Sequence, residues 1–76
     1  MSRLPQCKPA EVIRVLERLG WKFRNATGSH YRYKHPSHPG TVIVPFHRRD
    51  LKRGTLRSIL KQAGIAEGDF PKLLRS

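Results

Sequence analysis

Residues 21–46 read WKFRNATGSHYRYKHPSHPGTVIVPF, and this stretch decides the fold. Polar and apolar side chains alternate along it in three short runs, a pattern typical of strands with one buried face. Glycine and proline interrupt the runs twice, as they do at turns. Because both connections are short, we expect the strands to form an antiparallel meander. The predicted strands are 21–26, 30–35 and 41–46, and the predicted turns are Thr27-Gly28 and Pro36–Gly40.

One helix is predicted before the strands and another after them. The first begins near Lys8, with Pro9 at a first helical position, and ends at Gly20. Thr55 has the chemistry of an N-cap for the second helix, and Gly64 fits a Schellman-type ending. The fold class is therefore α+β, in the order α-β-β-β-α, with a three-stranded antiparallel sheet and two helices on one face. The predicted apolar stripes are Val12, Ile13, Val15, Leu16 and Leu19 in the first helix and Leu56, Ile59, Leu60 and Ala63 in the second.

The length of 76 residues predicts a single domain, 1–76. A chain this short buries only about 60% of the surface it exposes when unfolded, so it has one modest core and no deep cavity. We expect the core to span about residues 8–65, after a loose lead-in at 1–7. The tail, 66–76, has apolar residues at the spacing of one more helical turn, but Gly68 and Pro71 weigh against a helix there.

Positive charge dominates the composition. Sixteen Lys and Arg residues face five Asp and Glu, which gives a formal net charge of +11. No acid occurs from Arg18 to Arg49, a stretch that holds seven Lys or Arg and all four histidines. Such a field attracts polyanions, and it would also attract an acidic membrane or an acidic protein partner. A substrate bound on the surface of so small a body is more plausibly a polymer than a small metabolite.

The cysteine count bears on the compartment. Cys7 is the single cysteine, so no internal disulfide can form, and we interpret it as an incidental residue. No apolar run approaches the roughly 20 residues of a membrane span, and no signal-peptide core is present at the N-terminus. We therefore expect a cytoplasmic protein with no membrane contact.

His30 is the candidate for chemistry. The alternation of strand 30–35 puts Tyr31, Tyr33 and His35 on one face and His30, Arg32 and Lys34 on the other. Cleaving RNA without a metal needs a base for the ribose 2′-hydroxyl, an acid for the leaving oxygen and cations for the developing charge. Imidazole, with a reference pKa of about 6.5, exchanges protons near neutral pH. Spacing alone does not separate this role from a structural one.

The remaining histidines and the carboxylates give weaker signals. His35 and His38 form a His-x-x-His pair in a turn, but no further ligand has suitable spacing for zinc. His47 is a candidate second acid or base, although a solvated loop histidine is the better explanation. The five carboxylates are not paired in a way that indicates two-metal nuclease chemistry. Asp50 is expected to cap a helix or pair with Arg48 or Arg53, and we expect no metal and no cofactor.

A basic segment connects the third strand to the second helix. Residues 47–54 read HRRDLKRG, and further cations follow along the helix opposite its apolar stripe. Together with the helix N-terminus they would form a phosphate-binding surface, and a merely solvated face is the alternative. The cations concerned are Arg48, Arg49, Lys52, Arg53, Arg57 and Lys61.

Several motifs of this chain resemble those of HicA toxins. Gly28-Ser29-His30, followed by Tyr33 and His35-Pro36, is similar to the G-S-H-x-x-Y-x-H-P segment of that family. The similarity continues through Val42-Ile43-Val44-Pro45, with a histidine at 47, and through LKRGTLRSILKQAGI at residues 51–65. Leu19-Gly20-Trp21 resembles the family's N-terminal L-G-[FW]. The resemblance covers residues 8 to 74, which is nearly the whole chain.

The resemblance implies both a fold and a function. The implied fold is like that of a double-stranded-RNA-binding domain. The implied activity is mRNA cleavage by a toxin that a HicB-type antitoxin neutralises in a hetero-oligomer. The family's catalytic histidine corresponds to His30, and Gly28 and Ser29 correspond to the supporting residues before it. The tail departs from the family, whose members often end in a Glu-rich helix where this chain has Gly68 and Pro71.

The sequence thus predicts a metal-independent endoribonuclease toxin. His30 is the general acid or base, while Arg32, Lys34 and the basic residues between 48 and 57 hold phosphates. The alternative is a module that binds structured RNA without cutting it, for which His30 is not required. A DNA- or ribosome-associated basic protein is a third possibility, and the lack of a helix-turn-helix pattern counts against it.

Overall fold

The computed structural model describes residues 4–76. Three strands form one antiparallel sheet in the order β1-β2-β3, with helices before and after it. The predicted order α-β-β-β-α and the antiparallel meander are confirmed, and a third helix follows. None of the helices in residues 4–76 has the length and apolar character needed to cross a membrane. The elements are α1 (Pro9–Arg18), β1 (Lys22–Thr27), β2 (His30–His35), β3 (His38–Pro45), α2 (Arg53–Ala63) and α3 (Phe70–Arg75).

Residues 4–7, before α1, were predicted to be a loose lead-in, and this prediction was wrong. Residues 1–3 of the same predicted segment lie outside the described part. Leu4 is 5% exposed and Cys7 1%, and both belong to the hydrophobic core. The Leu51 amide donates to the Cys7 carbonyl at 2.8 Å, which ties this segment to the loop before α2. Burial, reinforced by the charges of Glu11 and Asp50, raises the pKa of the Cys7 thiol to about 11.

The two long helices begin and end for local chemical reasons. Pro9 opens α1, and the Glu11 carboxylate accepts a hydrogen bond from the Lys8 amide at 2.8 Å. Leu19, predicted in the apolar stripe, is 39% exposed, because the helix ends there and Gly20 turns the chain with a φ of +99°. The stripe therefore stops at Leu16.

Helix α2 starts three residues earlier than predicted. Lys52 occupies the N-cap position, so the assignment of Thr55 as N-cap was wrong. Thr55 lies within the first turn of the helix instead. The predicted Schellman ending is confirmed, since Gly64 has a φ of +72° and the Ile65 amide donates to the Leu60 carbonyl at 2.9 Å.

Strand β3 begins at His38, three residues before the predicted start, so the second turn contains only Pro36 and Ser37. His35 and His38 face each other across the turn, and the Ser37 amide donates to Nδ1 of His35 at 2.9 Å. Because β2 and β3 pair up to His35 and His38, the predicted five-residue turn Pro36–Gly40 was wrong, and the last three of its residues belong to β3. At the outer edge of β3, the Ile43 amide donates to the Gln62 side chain of α2 at 3.1 Å.

Strand β1 carries a β-bulge that the sequence did not reveal. Phe23 pairs with Tyr33, but Asn25 pairs with Arg32, so Arg24 is the extra residue. Regular alternation along β1 would put Phe23 and Asn25 on the same face, but the bulge puts them on opposite faces of the sheet. The predicted alternation of β2 is confirmed, because Tyr33 is buried while His30 and Lys34 are exposed.

The tail folds as helix α3 despite Gly68 and Pro71. Pro71 lies in the first turn, where a missing amide costs no hydrogen bond, and Gly68 lies in the turn before the helix. Phe70 is completely buried and joins the core. The Arg14 guanidinium donates to the Leu74 carbonyl at 2.9 Å, and Arg18 donates to the Ser76 carbonyl. Cations of α1 thus satisfy the carbonyl end of α3.

Candidate functional site

His30 is the first residue of β2 and follows a two-residue turn, Gly28-Ser29. Gly28 has a φ of +58°, and Ser29 has a negative φ. In a two-residue hairpin loop this combination is that of a type II′ turn, which favours glycine at its first position. The Phe46 amide donates to the Ser29 carbonyl at 2.6 Å and holds the turn against the end of β3. The His30 side chain is exposed on the face of the sheet away from the core, termed here the open face.

Arg32 is held in place on the open face. Its Nη1 donates to Oγ1 of Thr27 at 2.7 Å and to Oδ1 of Asn25 at 3.4 Å, both on β1. Sequence reasoning identified Arg32 but missed Thr27 and Asn25, because only the bulge at Arg24 brings Asn25 to this face. The remaining guanidinium N–H groups stay available as donors for an anion.

Lys34 lies opposite another cation. It pairs with Lys22 of β1, and both side chains are exposed. Like charges directly opposite each other on neighbouring strands are destabilising. A bound anion would relieve that repulsion, so this pair adds to the electrostatic preference of the open face for phosphate.

A hollow of about 540 Å³ separates the end of β3 from the start of α2. Pro45, the cross-strand partner of His30, lines it, so the hollow begins beside the His30 position. His47, Arg49 and Lys52 line it as well. The structure therefore groups two of the predicted phosphate-binding cations and the second candidate histidine around one hollow, which Pro45, the partner of His30, also lines. The remaining lining residues are Asp50, Leu51 and Thr55.

The other cations of the basic segment are placed differently. Arg48 and Arg53 are exposed but do not line that hollow. Arg57 and Lys61 line a separate depression of about 420 Å³ on α2, where Nε of Arg57 lies 3.4 Å from a Glu67 carboxylate oxygen. In the described part of the chain this is the one ion pair, and Lys52 is the N-cap of α2, so the prediction that Asp50 caps a helix or pairs with Arg48 or Arg53 was wrong.

His35 and His38 have structural partners that sequence reasoning did not find. Nε2 of His35 donates to the Leu19 carbonyl at 2.9 Å, and Nδ1 of His38 donates to the Pro39 carbonyl at 2.7 Å. The Trp21 ring lies 5.3 Å from the ring of His35 and 5.1 Å from that of His38. These contacts fasten the end of α1 to the β2–β3 turn.

Glycine is needed where the two helices approach these rings. A Cβ on Gly20 would lie 2.8 Å from Nε2 of His35, and one on Gly64 would lie 3.3 Å from Nε2 of His38. The Nε2 edge of each imidazole is therefore packed against the backbone at the end of a helix. Across residues 4–76, no three His, Cys, Asp or Glu side chains are grouped so that they could hold a metal ion.

The fold and the charge together define a class of protein. The chain is a small basic α+β domain of the double-stranded-RNA-binding-domain-like kind, with an open sheet face that carries cations and one exposed histidine. A comparison with curated proteins gives no match. A family model described as HicA toxin of bacterial toxin-antitoxin matches residues 9–65 of the 76. The chain belongs to the HicA toxin family, and its role is that of a toxin in a toxin-antitoxin system.

Proposed function

We propose that this toxin is a metal-independent endoribonuclease that cleaves mRNA, with His30 as its catalytic residue. The observation that carries the proposal is the position of His30. It is exposed at the head of β2, directly after a type II′ turn, on the same face as an arginine whose guanidinium is already oriented. A shape-based RNA-binding module has no need of that imidazole.

The reaction is an intramolecular phosphoryl transfer. The ribose 2′-oxygen attacks the adjacent phosphorus, the bond from phosphorus to the 5′-oxygen breaks, and the products carry a 2′,3′-cyclic phosphate and a 5′-hydroxyl. One group removes the 2′ proton and another protonates the leaving 5′-oxygen. His30 performs one of these transfers. His47 lines the hollow that begins beside Pro45, which makes it the candidate for the other.

Cations and backbone groups bind the phosphates. Arg32 stabilises the charge that develops on the reacting phosphate, since its guanidinium is fixed before the substrate arrives. Gly28 and Ser29 offer backbone groups and a hydroxyl beside it, and Lys34 neutralises a neighbouring phosphate. Phosphates farther along the RNA strand bind to cations of the basic segment and of the start of α2, namely Arg48, Arg49, Lys52, Arg53 and Arg57.

A HicB-type protein antitoxin is the proposed regulator. The His30 face is open and no described residue covers it, so inhibition requires a partner. Carboxylates of that partner would pair with Arg32 and Lys34 and bury His30 in a hetero-oligomer. Expressed alone in the cytoplasm, the toxin should arrest growth, and co-expression of the antitoxin should restore it. An inhibitory complex in which His30 stays open to solvent would contradict occlusion.

One experiment tests the enzymatic proposal. Purified protein is incubated with an mRNA, with and without excess chelator, and the ends of the fragments are analysed. Fragments with cyclic phosphate and 5′-hydroxyl ends in both samples are expected. Binding without cleavage would favour the RNA-binding module. Cleavage that stops with chelator and returns with a divalent ion would contradict the metal-independent mechanism.

A further inference from the structure

Three aromatic rings lie together on the sheet face opposite His30. Tyr31 stacks on Phe46 with ring centroids 4.7 Å apart, and Phe23 meets Tyr31 edge-on at 5.6 Å. The helices pack mainly over β3 and leave all six residues of β1 exposed. Phe23 is 52% exposed and Phe46 40%. Phe23, Tyr31 and Phe46 are together termed the aromatic surface.

Tyr31 packs against the core, but Phe23 and Phe46 are exposed and are not part of it. Burying a phenylalanine fully stabilises a fold by about 1.5–3 kcal/mol, and these partly exposed rings forgo much of that gain. Single exposed apolar residues are ordinary, but contiguous ones mark binding surfaces. The three side chains are also all aromatic rather than aliphatic, and flat rings are the side chains on which nucleobases stack.

Phe23 lies next to cations at the outer edge of the sheet. A shallow depression of about 360 Å³ is found at this edge, where side chains of both sheet faces meet. Its lining residues are Lys22, Phe23, Arg24, Lys34, His35 and Pro36. Arg24 is the bulge residue of β1, and no acid occurs in the sequence between Arg18 and Arg49. A ligand for this depression must present a flat apolar face and negative charge together, which is the chemistry of an unpaired nucleotide.

The aromatic surface is also tied to the proposed active site. The Phe46 amide donates to the carbonyl of Ser29, the residue that precedes His30. His30 and Tyr31 are consecutive and point to opposite faces of β2. An RNA strand that leaves His30 around the Gly28-Ser29 turn therefore reaches Tyr31 and Phe46 first and Phe23 after them.

We propose that the aromatic surface is a subsite that stacks unpaired bases of the RNA substrate next to the cleaved phosphodiester. This inference rests on the proposed ribonuclease function, and it adds a substrate class, namely single-stranded RNA. Paired bases cannot use the subsite, because a duplex keeps their flat faces stacked inside it. An acidic protein docking on the same rings is the competing occupant.

The test measures RNA binding in a His30→Ala background, which prevents cleavage. The probes are a short single-stranded oligoribonucleotide that contains 2-aminopurine and a duplex of the same sequence. Phe23→Leu should raise the Kd for the single strand roughly 5- to 100-fold and leave the duplex Kd unchanged. It should also abolish the quenching of 2-aminopurine on binding, whereas Phe23→Tyr should retain both properties. Leu19→Ala, at another exposed apolar residue, is the matched control and should change neither.

The outcomes separate this inference from the proposed function. Phe46→Leu is measured in parallel, and a thermal melt of each variant checks the fold. Unchanged single-strand binding in both folded variants, while the wild type still cleaves mRNA, would overturn the subsite and leave the ribonuclease intact. Lost antitoxin binding with RNA binding retained would assign the aromatic surface to the protein partner instead. Absence of cleavage by the wild type would overturn the ribonuclease proposal itself.

Discussion

Replacing Arg48, Arg49 and Arg53 together by glutamine should flatten the salt dependence of RNA binding. All three side chains are exposed, and none belongs to the ion pair seen in residues 4–76, so each is free to neutralise one phosphate. For single-stranded nucleic acid, the logarithm of the association constant falls by about 0.7 per neutralised phosphate for each tenfold rise in salt concentration. Three lost contacts should therefore reduce the slope by about 2, which is roughly a 20-fold smaller loss of affinity between 50 and 200 mM salt.

The assay is fluorescence anisotropy with a single-stranded oligoribonucleotide and the His30→Ala protein at several salt concentrations. The matched control replaces Lys8, Lys72 and Arg75 by glutamine, which removes the same charge from exposed positions at the N-cap of α1 and on α3. The control should lower affinity slightly through the general field and keep most of the slope. An unchanged slope in the first variant, or equal slopes in the two, would mean that the basic segment does not contact RNA.

Four further predictions follow from the site and the core. His30→Ala should abolish mRNA cleavage and growth arrest with an unchanged circular dichroism spectrum; an alanine variant cutting at the wild-type rate would remove His30 from the mechanism. Excess chelator should leave the cleavage rate unchanged, which a timed gel assay measures. Phe70→Ala should lower the free energy of unfolding by about 3–5 kcal/mol, because Phe70 is fully buried. Leu19→Ala, at an exposed residue, should change it by less than about 0.5 kcal/mol. Urea denaturation measures both variants, and equal values would mean that α3 is not packed against the core. Burial raises the Cys7 pKa from 9.0 to about 11, so the stability contributed by the protonated thiol is complete below pH 9 and is lost as pH rises toward about 11. Unfolding curves of Cys7→Ala at several pH values should lack this alkaline loss. Identical pH profiles of the variant and the wild type would contradict the prediction.

The open face was predictable where it depends on one strand alone. Alternation along 30–35 placed His30, Arg32 and Lys34 correctly, because each residue of a regular strand points opposite to the one before it. Asn25 could not be placed, since a bulge depends on how β1 pairs with β2 and not on the sequence of β1. The oxygens that orient Arg32 therefore become visible only in the folded sheet.

At the ends of the chain the lead-in was wrongly predicted to be loose, and the helical turn in the tail was left open, for a different reason. Gly68 and Pro71 are poor helix residues, and local propensity weighed against a helix in the tail. Tertiary burial of Phe70 outweighs that propensity, and Leu4 and Cys7 fill the core from the other end. Burial of this kind depends on residues distant in sequence, so a pattern read along the chain does not contain it. The roles of the site residues remain predictions.

The separation between the open face and the core has a genetic consequence. His30 and Lys34 are exposed and lie outside the hydrophobic core, so losing either leaves the packing that holds the molecule together intact. Under the mechanism proposed above, a toxin gene inactivated at His30 would still yield a stable protein that sequesters antitoxin. In a cell that also carries the active gene, such an allele would release active toxin, and a loss-of-function mutation would behave as a dominant toxic one.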